Sequence, residues 1–166
     1  KEVELYQPSK MVVLDLHTTS AFGGIFTIVN DEPESLEIAS KMNAPVIKGM
    51  LKGIEGTTLH FFTTENFSVK TVAVTFEGGQ HREPQAVSRM VAAIVNCMRS
   101  IGCVDDQDVE TIHDQLLSDY SKNLPKVTEL IFSYKIEKNE DFEMLQGFRN
   151  FQKIEKGQLL GRNKFG

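Results

Sequence analysis

The chain has 166 residues, of which 40% are hydrophobic and 25% are charged, and this composition is typical of a globular protein with enough apolar material for a core. Its formal net charge is −5 at pH 7, so a polyanion gains no overall electrostatic attraction, and we exclude nucleic acid as a partner. No window approaches the roughly 18 consecutive apolar residues of a membrane-spanning helix, and no signal peptide is visible. We therefore predict a cytoplasmic protein with no membrane partner. The two cysteines, Cys97 and Cys103, lack CxxC spacing, and we expect reduced thiols.

Four short apolar or β-branched runs predict strands. These runs are residues 11–16, 23–30, 45–50 and 71–76. A short helix is predicted over 33–42, where Pro33 suits the first turn. Residues 56–68 have no clean period and are predicted as a loop that can hold a helical turn.

The strongest helical pattern covers residues 83–102, between Pro84 in the first turn and Gly102 at the end. Its apolar residues recur at steps of three and four, which is typical of one apolar helix face. They are Val87, Met90, Val91, Ile94, Cys97, Met98 and Ile101. A second amphipathic helix is predicted over 108–121, with Asp108 as its N-cap.

The pattern changes after Pro125. Residues 128–137 alternate strictly between apolar and polar side chains, which predicts a half-exposed, antiparallel strand. A further short strand is predicted at 157–161. We predict an α/β fold with a mixed, mostly parallel sheet flanked by helices over residues 1–124, followed by part of a small β domain over residues 125–166.

Two predicted strands end in polar residues that can carry chemistry. Asp15 and His17 lie at the end of the first strand, and Glu77 follows the strand at 71–76. If the two strands are parallel, both ends meet at one sheet edge, where open α/β sheets place their ligands. A histidine and a glutamate brought together there favour a metal or acid–base site. The alternative is that both side chains are simply solvated. His81, in the turn before the long helix, could line the same pocket.

The stretches "DLHTTS" (15–20) and "VTFEGGQHREPQAVSRM" (74–90) together resemble the succinylglutamate desuccinylase/aspartoacylase family, whose members are zinc amidohydrolases related in fold to zinc carboxypeptidases. In that family a strand ends in D-L-H, and a later strand ends in a glutamate that is followed by glycine and a long helix. The resemblance extends from about residue 10 to the end of the chain. The strand after Pro125 resembles the first strand of the family's small C-terminal domain.

The resemblance implies a zinc-dependent hydrolase that cleaves the amide of an N-acyl amino acid or a related acyl or ester bond. It implies Zn²⁺ as the cofactor, with His17 as a zinc ligand and Glu77 as the general acid/base. Thr18, Thr19 and Ser20 would bind substrate. Asp15 would orient His17 from behind. The predicted partner is a small acylated molecule, and a homo-oligomer is compatible with the sequence.

The family takes its other two zinc ligands from an H-x-x-E pair upstream of D-L-H, and none of the four histidines here begins such a pair. The chain begins with Lys1, and we expect it to be the C-terminal portion of a longer enzyme, inactive alone. Glu65 replaces the arginine that aspartoacylases carry before the catalytic glutamate, which disfavours N-acetylaspartate as substrate. The alternative function is a non-catalytic module that binds a ligand or partner. A third reading, an esterase with Ser20 as nucleophile, lacks the G-x-S-x-G context.

Overall fold

The computed structural model of the chain describes residues 1–165. A five-stranded sheet forms its centre, in the order β1-β4-β2-β3-β5. The strands are Lys10–Thr19 (β1), Phe26–Val29 (β2), Val46–Lys48 (β3), Lys70–Gln80 (β4) and Val127–Glu129 (β5). Only the β2–β4 pair is antiparallel within this sheet. A small antiparallel sheet pairs Glu143–Met144 (β6) with Gly161–Arg162 (β7). The predicted α/β class, with a mixed and mainly parallel sheet, is confirmed.

Helices flank this sheet. They are Glu2–Tyr6 (α1), Pro33–Ser40 (α2), Thr58–Phe61 (α3), Thr64–Phe67 (α4), Ala86–Ser100 (α5) and Ile112–Ser121 (α6), with one 3₁₀ turn at Met50–Lys52. Helix α2 begins with Pro33 as predicted. Helix α6 begins later than predicted, and its N-cap is Thr111 instead of Asp108. None of the helices in the described part of the chain combines the length and apolar character needed to cross a membrane.

The two faces of the sheet bury different clusters. The face under α2, α5 and α6 carries the larger core, whose members include Val72, Val74 and Phe76 of β4. The opposite face buries Phe26, Ile28, Leu59 and Ala73. Because side chains alternate along a strand, Ala73, Thr75 and Glu77 all point to this second face. The candidate chemistry therefore lies on the side of the sheet away from the long helix α5.

Helix α5 packs with a different stripe from the predicted one. Val87, Val91, Ile94 and Met98 are exposed, and Val87 reaches 70%. The buried residues of the helix are Ala86, Arg89, Ala92, Ala93, Asn96 and Cys97. Small alanines allow the helix to approach the sheet closely, and the apolar volume beneath them comes from the strands. The prediction that the large apolar residues form the packed face is wrong, except at positions such as Cys97.

The alternating segment after Pro125 forms a shorter strand than predicted. Strand β5 runs parallel to β3, with Val46 opposite Val127 and Lys48 opposite Glu129, so the predicted antiparallel strand over 128–137 is wrong. Pairing stops because β3 ends at Lys48 and the chain turns at Gly49, where φ is +74°. The boundary at residues 124/125 stays a prediction, and β5 itself belongs to the main sheet.

Strand β1 lies at one edge of the sheet and pairs only with β4 among residues 1–165. Its ten residues include the apolar run 11–16, which is only half-buried. A continuous apolar run of this kind is typical of strands covered on both faces, so the sequence predicts more burial than the edge position of β1 gives it. The outer side of β1 thus leaves a row of backbone groups without a strand partner in the described chain.

Candidate functional site

The parallel pairing of β1 and β4 brings the predicted site residues side by side. His17 stands opposite Glu77, and Asp15 stands opposite Thr75. Neighbouring strands lie about 4.8 Å apart, and residues in register across a parallel pair point to the same face. The expectation that the ends of these two strands meet at one edge of the sheet is confirmed.

The sequence predicts that Glu77 lies at the end of its strand, but the strand extends beyond this residue. Strand β4 continues to Gln80, and the register shifts so that Thr19 pairs with Gln80. The extra residue is accommodated beside Gly79, whose φ of +108° is a conformation that L residues rarely adopt. A bulge of this kind bends a strand locally and changes the direction of nearby side chains. It separates Glu77 from the loop that follows it.

A carboxylate holds the imidazole of His17. Asp15 Oδ2 lies 3.0 Å from His17 Nε2, and the Thr75 hydroxyl donates to the same carboxylate oxygen over 3.4 Å. The His17 side chain is 52% exposed, and within residues 1–165 its Nδ1 atom has no hydrogen-bond partner. A histidine whose one nitrogen is fixed by a carboxylate presents the other nitrogen in a defined direction, which is the arrangement that metal-binding histidines use.

The carboxyl group of Glu77 is half-buried, and its Oε2 atom has no hydrogen-bond partner in the described chain. Burial raises the pKa of Glu77, the positive charge on a protonated His17 opposes this shift, and the Asp15 carboxylate adds to it. An unsatisfied buried carboxylate oxygen is costly. The site therefore favours either a proton on Glu77 or a ligand that supplies a donor.

The structure adds His81 to the cluster. Its Nδ1 lies 2.7 Å from the hydroxyl of Thr18, and its backbone N–H donates to the carbonyl of Thr19 over 3.0 Å. Both contacts cross from the end of β4 to the end of β1. The sequence singles out His81 only by its closeness to Glu77, and the fold gives it a place at the rim of the site.

The hydroxyls predicted to bind substrate have different surroundings. Thr19 donates to the carbonyl of Ala21 over 2.7 Å and accepts from the Asn150 amide over 3.3 Å, so it shapes the loop after β1. Ser20 is exposed just beyond β1. Asn150 also binds the carbonyl of Phe22 through its backbone N–H, over 2.7 Å. No sequence signal links Asn150 to this loop, because the contact spans more than a hundred residues.

A buried arginine supports the site from the opposite face. Arg89 is 3% exposed, forms an ion pair with Glu83 and donates to the carbonyl of Gly78 over 3.1 Å. Its guanidinium lies 3.7 Å from the centroid of the Tyr120 ring. The residue after Glu77 is thus tied to α5 and, through Tyr120, to α6. Helical spacing alone does not predict a charged residue on the packed side of α5.

Zinc, the cofactor that the resemblance implies, requires a defined set of protein donors. Catalytic zinc sites use three protein ligands and one open position. His17 offers one neutral nitrogen ligand, but among residues 1–165 no group of three or more His, Cys, Asp or Glu side chains could hold a metal ion. The described residues therefore do not form a complete zinc site by themselves.

The fold and the site define an α/β protein with a mixed, mainly parallel sheet, in which an Asp–His pair and a half-buried glutamate stand side by side on adjacent parallel strands. Comparisons with protein-family models, with curated proteins and with solved structures found no match to this chain. The family resemblance rests on the D-L-H and E-G-G motifs and on the order of the elements around them.

Proposed function

We propose that this chain carries part of the active site of a zinc-dependent deacylase of the succinylglutamate desuccinylase/aspartoacylase type, with a fold of the zinc carboxypeptidase kind. The reaction is hydrolysis of the amide of an N-acyl amino acid or of a related acyl or ester bond. The single observation that carries this proposal is the register pair of His17 and Glu77, on parallel strands and facing the same side.

His17 is the proposed metal ligand, held in place by Asp15. The 3.0 Å contact from Asp15 occupies Nε2, which leaves Nδ1 as the ligand atom. When bound, zinc would act as a Lewis acid on the scissile carbonyl and on water. The proposal requires two further ligands from outside residues 1–166, because His17 alone does not hold the ion.

Glu77 is the proposed general acid/base. Its pKa is raised by burial, which brings the carboxyl closer to the neutral range in which a proton can be both taken and returned. Glu77 would accept a proton from the attacking water and donate it to the leaving amine or alcohol. The raised pKa supports this role, because an unperturbed carboxylate holds a proton poorly near pH 7.

The substrate is proposed to lack a carboxylate at the position that aspartoacylases bind with arginine. In sequence, Glu65 stands where aspartoacylases carry that arginine, which disfavours N-acetylaspartate as the substrate. In the structure, α4 is tied to the start of β4, where the Thr71 N–H donates to the Thr64 hydroxyl over 3.1 Å. Thr71 precedes Glu77 in the same strand, at a distance of about 20 Å for six residues of about 3.3 Å each, so Glu65 does not adjoin the Glu77 carboxyl.

The test uses the natural gene product that contains residues 1–166, because the proposal needs ligands from outside them. Zinc content is measured by elemental analysis after removal of loosely bound metal, and hydrolysis is measured over a panel of N-acyl amino acids, N-acyl amines and esters. Glu77→Gln is expected to lower kcat by about 10²- to 10⁴-fold while zinc content is retained. The matched control is Glu143→Gln, an exposed glutamate in β6, which should keep full activity. Wild-type turnover by Glu77→Gln would refute the assignment.

A non-catalytic binding module is the second candidate. It is favoured by the lack of a three-ligand group within the described residues. A gene product without zinc and without hydrolysis across the whole panel would favour this candidate and reject the deacylase. Stoichiometric zinc in the wild type that is lost in His17→Ala would favour the deacylase and reject the binding module.

A further inference from the structure

A cavity of about 470 Å³ lies away from the candidate site, and none of the residues Asp15, His17, Glu77 and His81 lines it. It opens between the C-terminal ends of α2 and α6 and the first residues of β3 and β5. Its volume is within the range of roughly 300–1,000 Å³ that is typical of small-molecule sites. Four elements that are distant in sequence therefore meet around one concave space.

The floor of this cavity is apolar and firmly held. It is formed by Ala44, Pro45, Val46, Leu124 and Val127. The carbonyl of Pro45 accepts two hydrogen bonds from Thr27, one from its backbone N–H at 2.7 Å and one from its hydroxyl at 3.1 Å. The backbone N–H of Val46 donates to the carbonyl of Lys126 over 2.9 Å. These bonds fix the floor before any ligand arrives, which lowers the cost of binding.

The rim of the cavity is positively charged. Lys122 and Lys126 line it together with serine and asparagine side chains, and no aspartate or glutamate does so. Neither lysine forms an ion pair within residues 1–165. The nearby carboxylate of Asp114 is already paired with Arg99 and bound by the Asn43 amide. The cavity is thus lined by positive charge in a chain whose net charge is −5.

Stabilisation of the helix end accounts for only one of these lysines. Lys122 is the C-cap of α6, where a positive charge interacts favourably with the helix dipole. Lys126 lies beyond the helix, next to the start of β5, and gains nothing from that dipole because the effect falls off within one turn. Two lysines that line a cavity with an apolar floor instead match a ligand with an anionic head and an apolar body.

We propose that this cavity binds a small organic anion, whose carboxylate or phosphate group is held by Lys122 and Lys126 and whose apolar part packs on the floor. This inference is independent of the deacylase proposal, since it uses different residues. The two anionic groups share the same recognition chemistry, so the test includes one probe of each kind.

The experiment is a ¹H–¹⁵N NMR titration of the 166-residue chain with phenyl phosphate, benzoate and phenol. Phenyl phosphate or benzoate should shift amide signals from residues 40–46 and 118–127, and whichever anion binds more tightly identifies the preferred head group. Phenol, which has the same ring without the charge, should bind at least about tenfold more weakly. Raising the salt concentration should weaken anion binding.

The double variant Lys122→Met/Lys126→Met should weaken anion binding at least about tenfold, because it removes both charge-assisted contacts. Both side chains are exposed, so the unbound spectrum should remain that of the folded chain. The matched control is Lys135→Met/Lys138→Met, which removes two other exposed lysines and should bind as the wild type does. Anion-induced shifts spread over the lysine-bearing surface, or equal affinity in the double variant, would overturn the proposal.

Discussion

Substitution of Gly79 by alanine tests whether the bulge beside the candidate site needs a glycine. Gly79 has a φ of +108°, and an added Cβ would lie 2.5 Å from Arg89 Nη1 and 2.6 Å from Glu83 Oε2. The backbone conformation alone costs a side-chain-bearing residue about 1–3 kcal/mol. Breaking a buried ion pair such as Arg89–Glu83 costs about 3–5 kcal/mol, and the added methyl displaces this pair without removing it. We expect Gly79→Ala to lower the free energy of unfolding by about 2–5 kcal/mol.

The assay is urea unfolding followed by circular dichroism. Gly102→Ala is the matched control, since Gly102 has a φ of +74° and an added Cβ there would meet no atom within 4 Å. This control should lose only the cost of the left-handed backbone, about 1–2 kcal/mol. In an Arg89→Ala background the cost of Gly79→Ala should be smaller, because one of the two clashing side chains is gone and Glu83, no longer ion-paired, is free to rotate away. A loss below about 0.5 kcal/mol for Gly79→Ala, the range of neutral surface changes, would refute the reasoning.

Three further predictions concern single side chains. The pKa of Glu77 is raised above its ordinary value of 4.5, so its contribution to stability is greatest below about pH 4.5 and is lost as the pH rises through the raised value. The free energy of unfolding of Glu77→Gln, measured in urea at pH 4 and pH 8, should therefore improve relative to that of the wild type at the higher pH. A difference between the two proteins that does not change with pH would contradict burial as the cause of the raised pKa. Phe76 is 0% exposed, so Phe76→Ala should cost about 3–5 kcal/mol in thermal or urea unfolding; a loss below about 1 kcal/mol would mean that the core is not packed around this ring. Cys103 is exposed and Cys97 is buried, with the pKa of Cys97 raised by that burial, so a thiol reagent should label Cys103 much faster in the native chain, and equal labelling would contradict the placement of α5.

The strands that position the candidate site could be predicted from the sequence, because their residues are apolar and β-branched. The sequence is compatible with parallel pairing of β1 and β4 but does not establish it. Once the register is set, period-two alternation places the His17 and Glu77 side chains on the same face of the sheet, but the register itself was not predictable from the two strand sequences. The bulge at Gly79 was not predictable in the same way, since two adjacent glycines indicate only that the backbone can turn sharply.

The packed side of α5 and the length of β5 depend on long-range contacts that the local pattern of apolar residues does not reveal. Apolar periodicity selects Val87, Val91 and Ile94, yet the fold buries Arg89. Its Nη1 contacts the Glu83 carboxylate and the Gly78 carbonyl, and its guanidinium lies over the Tyr120 ring. Strand β5 ends after three residues because its partner strand β3 is itself only three residues long. Both outcomes depend on contacts between segments far apart in the chain, which no short window of sequence contains.

The open side of β1 has a consequence for how the chain behaves in concentrated solution. Residues 11–14 present an uncharged apolar run along a strand edge with no protecting proline or bulge, and proteins usually guard such edges against pairing with a neighbour. This edge is therefore a place where a further strand can pair with β1, from a second molecule or from another segment of the same protein. Where no such strand covers it, we expect self-association to increase with protein concentration.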